Sequence, residues 1–317
     1  MIPGGKELEL PDSYAGLRFE QIRVSHVPES FKEVTAVVVL TLYRPKHHNA
    51  FTLVMMQELE RAFELFDVDK RVRCVVVTGH GKMFCAGADL NDGFVGGREA
   101  NRDHRDGGGR VALAIHRCSK PVIAAIQGSA VGVGITMTLP MNIRIAYDGA
   151  KCGFVFSRRG LVMEASSSYF LPKLIGMSRA MHLVTTGAVY PASHRLLNDL
   201  FSETLSTPDA VLPRALELAH DIAHNTSSVS TTLMKEMLYR NPGSAEATHI
   251  LDSRILYELF SGKDNIEGVK AFMEKRQSNF RGSIQDDAPE AYPWWNAVET
   301  VGANKTKGKP YKRDSKL

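Results

Sequence analysis

Apolar and polar positions along this chain follow two rhythms. Residues 36–43 (AVVVLTLY) form a short, nearly continuous apolar run closed by Arg44-Pro45, the pattern of a strand buried on both faces. Thr52 then offers an N-cap, and Leu53, Met56, Leu59, Phe63 and Phe66 recur at three- and four-residue steps, which predicts an amphipathic helix. Strand character returns at residues 73–79 (RCVVVTG), 122–128 (VIAAIQG) and 143–147 (IRIAY), with helical stretches between them. Strand, helix and strand in repetition make the class α/β. Beyond Pro208 the spacing is helical, over residues 211–224, 247–260 and 266–280. With no strand run there, this third is predicted to be a helical layer on the α/β part or on a neighbouring subunit.

Residues 91–110 (NDGFVGGREANRDHRDGGGR) break both rhythms. So many charges and glycines cannot pack a core, and the stretch is predicted to be a mobile loop, either a lid beside a site or a plain surface insertion. Near the C-terminus, Trp294 and Trp295 in AYPWWNAVE fit docking on the body or a contact surface equally well.

Composition narrows the function classes. In 317 residues, 23% are charged and 44% hydrophobic, with a net charge of +4, the balance of a soluble globular protein. Much of the basic excess sits at Lys305, Lys307, Lys309, Lys312 and Arg313; a nucleic-acid binder would carry its basic stripe on the folded part, so none is expected as a partner. No apolar run approaches the roughly 20 residues of a membrane span. Cys74, Cys85, Cys118 and Cys152 are scattered without a C-x-x-C pair, which suits buried thiols in a reduced compartment. The opening MIPGGKELEL lacks the regions of a signal peptide. The closing tripeptide Ser315-Lys316-Leu317 reads as the peroxisomal import address, with the import receptor as its partner.

Two glycine-punctuated segments follow strands: Phe84-Cys85-Ala86-Gly87-Ala88-Asp89-Leu90 and Gly128-Ser129-Ala130-Val131-Gly132-Val133-Gly134. Small residues at strand ends let backbone N–H groups approach a ligand, and two such turns facing one point would supply a pair of donors for a developing oxyanion. The second also opens a helix, whose N-terminus favours negative charge. Neither segment has the G-x-G-x-x-G dinucleotide spacing or a phosphate-loop lysine. Glu164, in GLVMEASSS, is preceded by apolar residues and followed by small ones. Burial there would raise its pKa toward proton-shuttling range, although a helix-start glutamate without a chemical role reads as well. His220 and His224 share a helical face but lack the glutamate and third ligand of a zinc motif, so no metal is expected. Ser166, Ser167 and Ser168 lack the G-x-S-x-G elbow of a hydrolase.

These segments, in this order, resemble the enoyl-CoA hydratase/isomerase (crotonase) superfamily over about residues 34–281. The markers are Arg44-Pro45 with Asn49-Ala50, then FCAGADL, KPVIAAIQGSAVGVG, the Glu164 segment and EGVKAFMEKRQSNF. The resemblance implies a crotonase-type spiral of ββα units over residues 1–207, a helical trimerisation region over 208–285, and a tail over 286–317. It further implies a homotrimer or hexamer and an acyl-CoA substrate whose thioester carbonyl sits between the amides of Ala88 and Val133. No separate cofactor is implied, since coenzyme A is part of the substrate. Backbone groups of Ala86, Gly87 and Ala88 would hold the CoA, with Asp89, Leu90, Gly132 and Phe280 beside it and Lys46 and Arg281 near its phosphates.

The acids indicate a subfamily. Hydratases of this superfamily use two glutamates, and the matching positions here are Thr136 and Phe156. Glu164 instead matches the acid of peroxisomal 3-enoyl to 2-enoyl-CoA isomerases, with Gly160-Leu161 and Leu171-Pro172-Lys173 fitting that subgroup. The resemblance thus implies isomerisation by one carboxylate, with hydration or a non-catalytic acyl-CoA-binding role as alternatives.

Overall fold

The computed structural model of the protein describes residues 8–90, 104–298 and 300. The apolar runs form the centre of a six-stranded sheet. β1 (Ile22–His26) pairs antiparallel with β2 (Val37–Leu42), and β3 (Cys74–Gly79), β5 (Val122–Ile126), β7 (Ile143–Tyr147) and β10 (Glu203–Leu205) continue it in parallel. Every residue of β3 and β5 is buried, as expected of parallel strands covered on both faces. Side chains alternate along each strand, so one face of β2 gives Val38 and Leu40 to the main core and the other gives Val37 and Val39 to a second core.

Helices cover both faces. The stripe on α1 (Leu53–Val68) buries Met55, Met56, Leu59, Ala62, Phe63, Leu65 and Phe66, and Thr52 caps it by accepting the Met55 N–H at 3.1 Å. Leu53, expected in the stripe, is exposed because it sits in the first turn. On the second face lies α6 (Val211–Asn225), whose Val211, Ala215, Ala219 and Ala223 recur every four residues and pack on Val37, Val39, Val76, Ile123, Ala125 and Ile145. In packing, α6 therefore covers the second face of the large sheet.

A second, four-stranded sheet consists of β4 (Met83–Cys85), β6 (Ser129–Val131), β8 (Lys151–Gly153) and β9 (Val189–Pro191). It is absent from the apolar rhythm because three residues are too few to show a period. Each repeat places one strand in the large sheet, a short one in the small sheet, then a helix: β3, β4 and α2 (Gly107–Arg117); β5, β6 and α3 (Val133–Thr136); β7, β8 and α4 (Ser167–Ile175). This is a spiral of ββα units, followed by α5 (Met177–Thr186).

One sequence expectation changes here, and one open alternative is decided. Residues 107–110, assigned to a loop, begin α2, because Asp106 caps the helix and residues 111–116 supply its buried stripe; residues 91–103 of that stretch lie outside the described residues. Trp294 and Trp295 dock on the body: Trp294 donates from its indole nitrogen to Arg240 O at 2.9 Å, and the Arg240 guanidinium lies 4.3 Å above the Trp295 ring.

After α6 come α7 (Ser228–Tyr239), α8 (Ala245–Leu259), α9 (Lys263–Met273) and α10 (Ile284–Asp287). Arg73 beside β3 anchors this region, donating to Phe280 O, Thr226 O and Ser228 Oγ at 3.0–3.1 Å. Their own core is small, around Val229, Leu233, Ile255 and Ile284, while Ile250, Tyr257, Phe260, Val269, Phe272 and Met273 are exposed. No helix among the described residues is long and apolar enough to cross a membrane.

Candidate active site

The first glycine turn is held from behind. Asn49 is fully buried; its amide nitrogen donates to His80 O, Met83 O and Phe84 O, and its oxygen accepts the Arg44 N–H. Phe51 donates to Gly87 O and accepts from Asp89 N, both at 2.8 Å. In such a parallel bridge the flanking residues make the bonds, so the N–H of Ala88 points to the other side. Asp89 is held by Arg44 at 3.0 Å with its side chain buried, which makes it a brace of the turn. Arg44 also donates to Ala50 O. The markers Arg44 and Asn49 are thus scaffolding for Ala88.

The second turn follows β6. Gly132 lies in the left-handed range at φ 57° and caps α3, and its N–H donates to Gly153 O at 2.9 Å. Val133 is the first residue of α3, so its N–H has no partner within the helix. The two turns abut: a β-carbon on Gly132 would lie 3.9 Å from Gly87 Cα, and one on Gly134 would lie 2.4 Å from Cys85 O. Gly87, at φ 99°, would bring a β-carbon to 2.9 Å from Val131 O. Glycine is required at 87 and 134, where a β-carbon would run into a backbone oxygen, and is favoured at 132 by its positive φ.

Glu164 enters from a third segment. After a 3-10 turn at Val155–Arg159 the chain reaches Glu164, and then Ala165 and Ser166 both adopt the left-handed region, at φ 57° and 52°. The helix α4 begins only at Ser167, so Glu164 precedes it. Its Oε1 accepts a hydrogen bond from the Thr136 hydroxyl. Its Oε2 is buried without a hydrogen-bond partner among the described residues, facing the backbone of Gly108. A β-carbon on Gly108 would stand 1.5 Å from that oxygen and 3.1 Å from Val133 Cγ2, which brings Glu164, the α2 N-terminus and the second turn together. Burial pushes the Glu164 carboxyl up to about 7; the Thr136 hydrogen bond opposes this and the charge of Asp106 adds to it. The neighbouring Cys85 thiol is pushed up to about 12 by burial.

The fold is shared with known proteins. The family described as enoyl-CoA hydratase/isomerase matches residues 32–283. The chain belongs to the enoyl-CoA hydratase/isomerase family. Among curated relatives of the family, Enoyl-CoA hydratase AFT3-1 of Alternaria alternata is 46% identical over 88% of this chain and 92% of its own. Mevalonyl-coenzyme A hydratase sidH of Aspergillus fumigatus is 30% identical over 78% of this chain and 92% of its own. Among solved structures, a probable enoyl-CoA hydratase/isomerase from Mycobacterium abscessus superposes with a TM-score of 0.73 at 31% identity, covering 78% of this chain and 96% of that one. Enoyl-CoA hydratase from Bacillus anthracis gives 0.75 at 28% identity, covering 83% and 100%.

Against that family background, the remaining sequence candidates divide. Ala86, Gly87, Ala88, Gly132 and Val133 line the abutting turns, and Ala86 N donates to His48 O at 3.1 Å. Leu90 is exposed beside them, and Lys46 is exposed in a short 3-10 turn. Phe280 and Arg281 sit elsewhere in the chain, in and beside a groove of about 760 Å³ between α9 and the end of α6. There the Phe280 ring faces Gly268, and Arg281 N donates to Asp264 at 3.1 Å. Among the described residues, neither makes a hydrogen bond to Ala88, Val133 or Glu164. His220 and His224 stack on each other at 4.1 Å, and among the described residues no cluster of three or more metal-ligating side chains occurs.

The sequence reading missed Gly108 and Asp106, and saw Thr136 only as a position lacking an acid. An N-cap aspartate before an amphipathic stripe was the legible signal for Asp106. No local signal marks Gly108, because what it makes room for lies 56 residues further along the chain.

Proposed function

We propose that this protein is an enoyl-CoA isomerase, moving a 3-enoyl-CoA double bond to the 2-trans position with Glu164 as its acid–base group. The buried Oε2 of Glu164, without a hydrogen-bond partner among the described residues and beside Val133, carries this reading. Removing a proton from carbon 2 sends negative charge to the thioester oxygen, where the amides of Ala88 and Val133 would each contribute about 3–4 kcal/mol to the transition state. The same carboxyl then returns the proton to carbon 4 on the same face of the dienolate. A carboxyl near 7 suits both halves, since it is neither too weak a base nor too weak an acid at neutral pH.

Thr136 supports proton shuttling over hydration. Its hydroxyl is within reach of Glu164 Oε1 and, at 3.2 Å, of Gly132 O. With Glu164 ionised the hydroxyl donates to the carboxylate. With Glu164 protonated on Oε2, the hydroxyl can keep its bond to Oε1 or turn to Gly132 O, so it has a partner in either protonation state without moving the backbone. Hydration additionally needs a group to activate water, and Thr136 and Phe156 stand where the superfamily's hydratases carry acids.

A hydratase is the second reading, favoured by the name of the 46% identical relative. One assay separates the two: wild type and Glu164→Gln with 3-hexenoyl-CoA and with 2-hexenoyl-CoA. Conversion of the first, loss of it in the variant and little hydration of the second is the expected result. Rapid hydration of the second substrate would establish the other reading, and an unaffected variant would remove Glu164 from the chemistry.

The exposed apolar residues of α8 and α9 support assembly as a trimer or hexamer, which light scattering would measure. Peroxisomal delivery through Ser315-Lys316-Leu317 is proposed from the sequence; these residues lie outside the described ones, and a fluorescent fusion with and without the tripeptide tests it.

A further inference from the structure

We propose that Asp106 is the positioning residue for Glu164, fastening the first turn of α2 to the segment that carries the acid. This rests on the reading that Glu164 performs the proton transfer. A single oxygen, Asp106 Oδ1, accepts the Gly109 N–H at 2.5 Å and the Ala165 N–H at 3.2 Å. The first bond is the ordinary work of an N-cap. The second reaches 59 residues along the chain, to the amide directly after Glu164, and no capping function requires it.

What it holds needs holding. Ala165 and Ser166 are consecutive non-glycine residues in the left-handed region, a conformation that persists only when its surroundings over-determine it. Ser167 constrains one side, with its N–H and hydroxyl both donating to Glu164 O at 3.0 and 2.5 Å. Asp106 constrains the other, through the Ala165 amide. Because the same carboxylate fixes the turn containing Gly108, it sets both surfaces that meet at Oε2 of Glu164. Among the described residues, the groups acting on Glu164 are Asp106 at the head of α2, the Thr136 hydroxyl on α3 and the neutral Cys85 thiol on β4. Asp106 is the charged one among them, so its charge supports the raised proton affinity of Glu164.

The test compares wild type, Asp106→Ala, Asp106→Asn and Glu164→Gln on 3-hexenoyl-CoA across the pH range of activity, with thermal melts alongside. Asparagine keeps an acceptor for both amides and loses the charge; alanine loses both. Asp106→Ala is expected to lower kcat by roughly 10- to 100-fold, the scale of a sub-ångström misplacement, with KM changed less than about threefold. Asp106→Asn is expected to recover most of kcat while its rising pH limb moves to lower pH. Wild-type kcat and pH limb in Asp106→Ala would overturn the proposal. So would a loss that Asp106→Asn fails to recover. An active Glu164→Gln would instead remove the assignment on which the proposal rests, which separates the two failures.

Discussion

Gly108 and Glu164, distant in sequence, share one space: the backbone of the glycine occupies the position directly against Oε2 of the carboxyl, where a β-carbon would lie 1.5 Å from the oxygen. The carboxyl can sit beside Val133 and the second glycine turn only because this residue has no side chain.

Gly108→Ala should therefore push the carboxyl aside without unfolding the protein. Roughly a hundredfold fall in kcat is expected from a displacement of about 1 Å. Circular dichroism should remain that of wild type, and stability should fall by no more than the 1–3 kcal/mol typical of overpacking. Near-normal turnover would mean that Glu164 has no fixed catalytic position.

Thr136→Val removes the donor that stabilises the ionised form of Glu164 while keeping the shape of the side chain. A hydrogen bond to the charged form lowers a pKa, so its loss raises the Glu164 carboxyl above about 7. With the ionised carboxylate as the proposed base, the rising limb of the kcat–pH profile should move to higher pH, by about one unit for a bond worth roughly 1.4 kcal/mol. A limb that stays in place would show that the hydroxyl does not serve the carboxylate.

The raised carboxyl also makes a stability prediction. With a folded-state pKa of about 7 against 4.5 for the free group, the folded protein holds its proton more tightly than the unfolded chain. The favourable contribution is complete below about pH 4.5 and is lost as pH rises through 7. Glu164→Gln should thus be more stable than wild type in urea melts at pH 8, by up to roughly 3 kcal/mol, with the difference disappearing in acid. An acid-site substitution that destabilises at pH 8 would contradict the burial of this group.

Ser166 makes no capping hydrogen bond and stands at φ 52°. The left-handed region costs an ordinary residue about 1–2 kcal/mol, against about 0.5–1 kcal/mol of chain entropy for a glycine. Ser166→Gly is expected to stabilise the protein by about 0.5 kcal/mol in the same melts. A loss of stability would show that the serine side chain supports this segment in another way.

The apolar rhythm alone determined the α/β class, the central strands β2, β3, β5 and β7, the helix α1 with its Thr52 cap, and the helical character of the last third. These are local consequences of period and burial, which a sequence carries directly. The order of motifs indicated the family, which residues 32–283 establish. What only the tertiary structure decided depends on neighbours far apart in the chain. The small sheet has strands too short to show a period. The pairing of α6 with the large sheet rests on alanines that signal close approach only once the sheet is present. The glycines at 107–109 looked like loop residues because their charged flank hid the cap and the stripe behind them. For Glu164 the sequence left catalyst and helix-start residue even. Gly108 and Thr136 at its carboxyl, and Asp106 at the amide that follows, supplied the burial, the partner and the backbone tether, none of which can be read from its own neighbours.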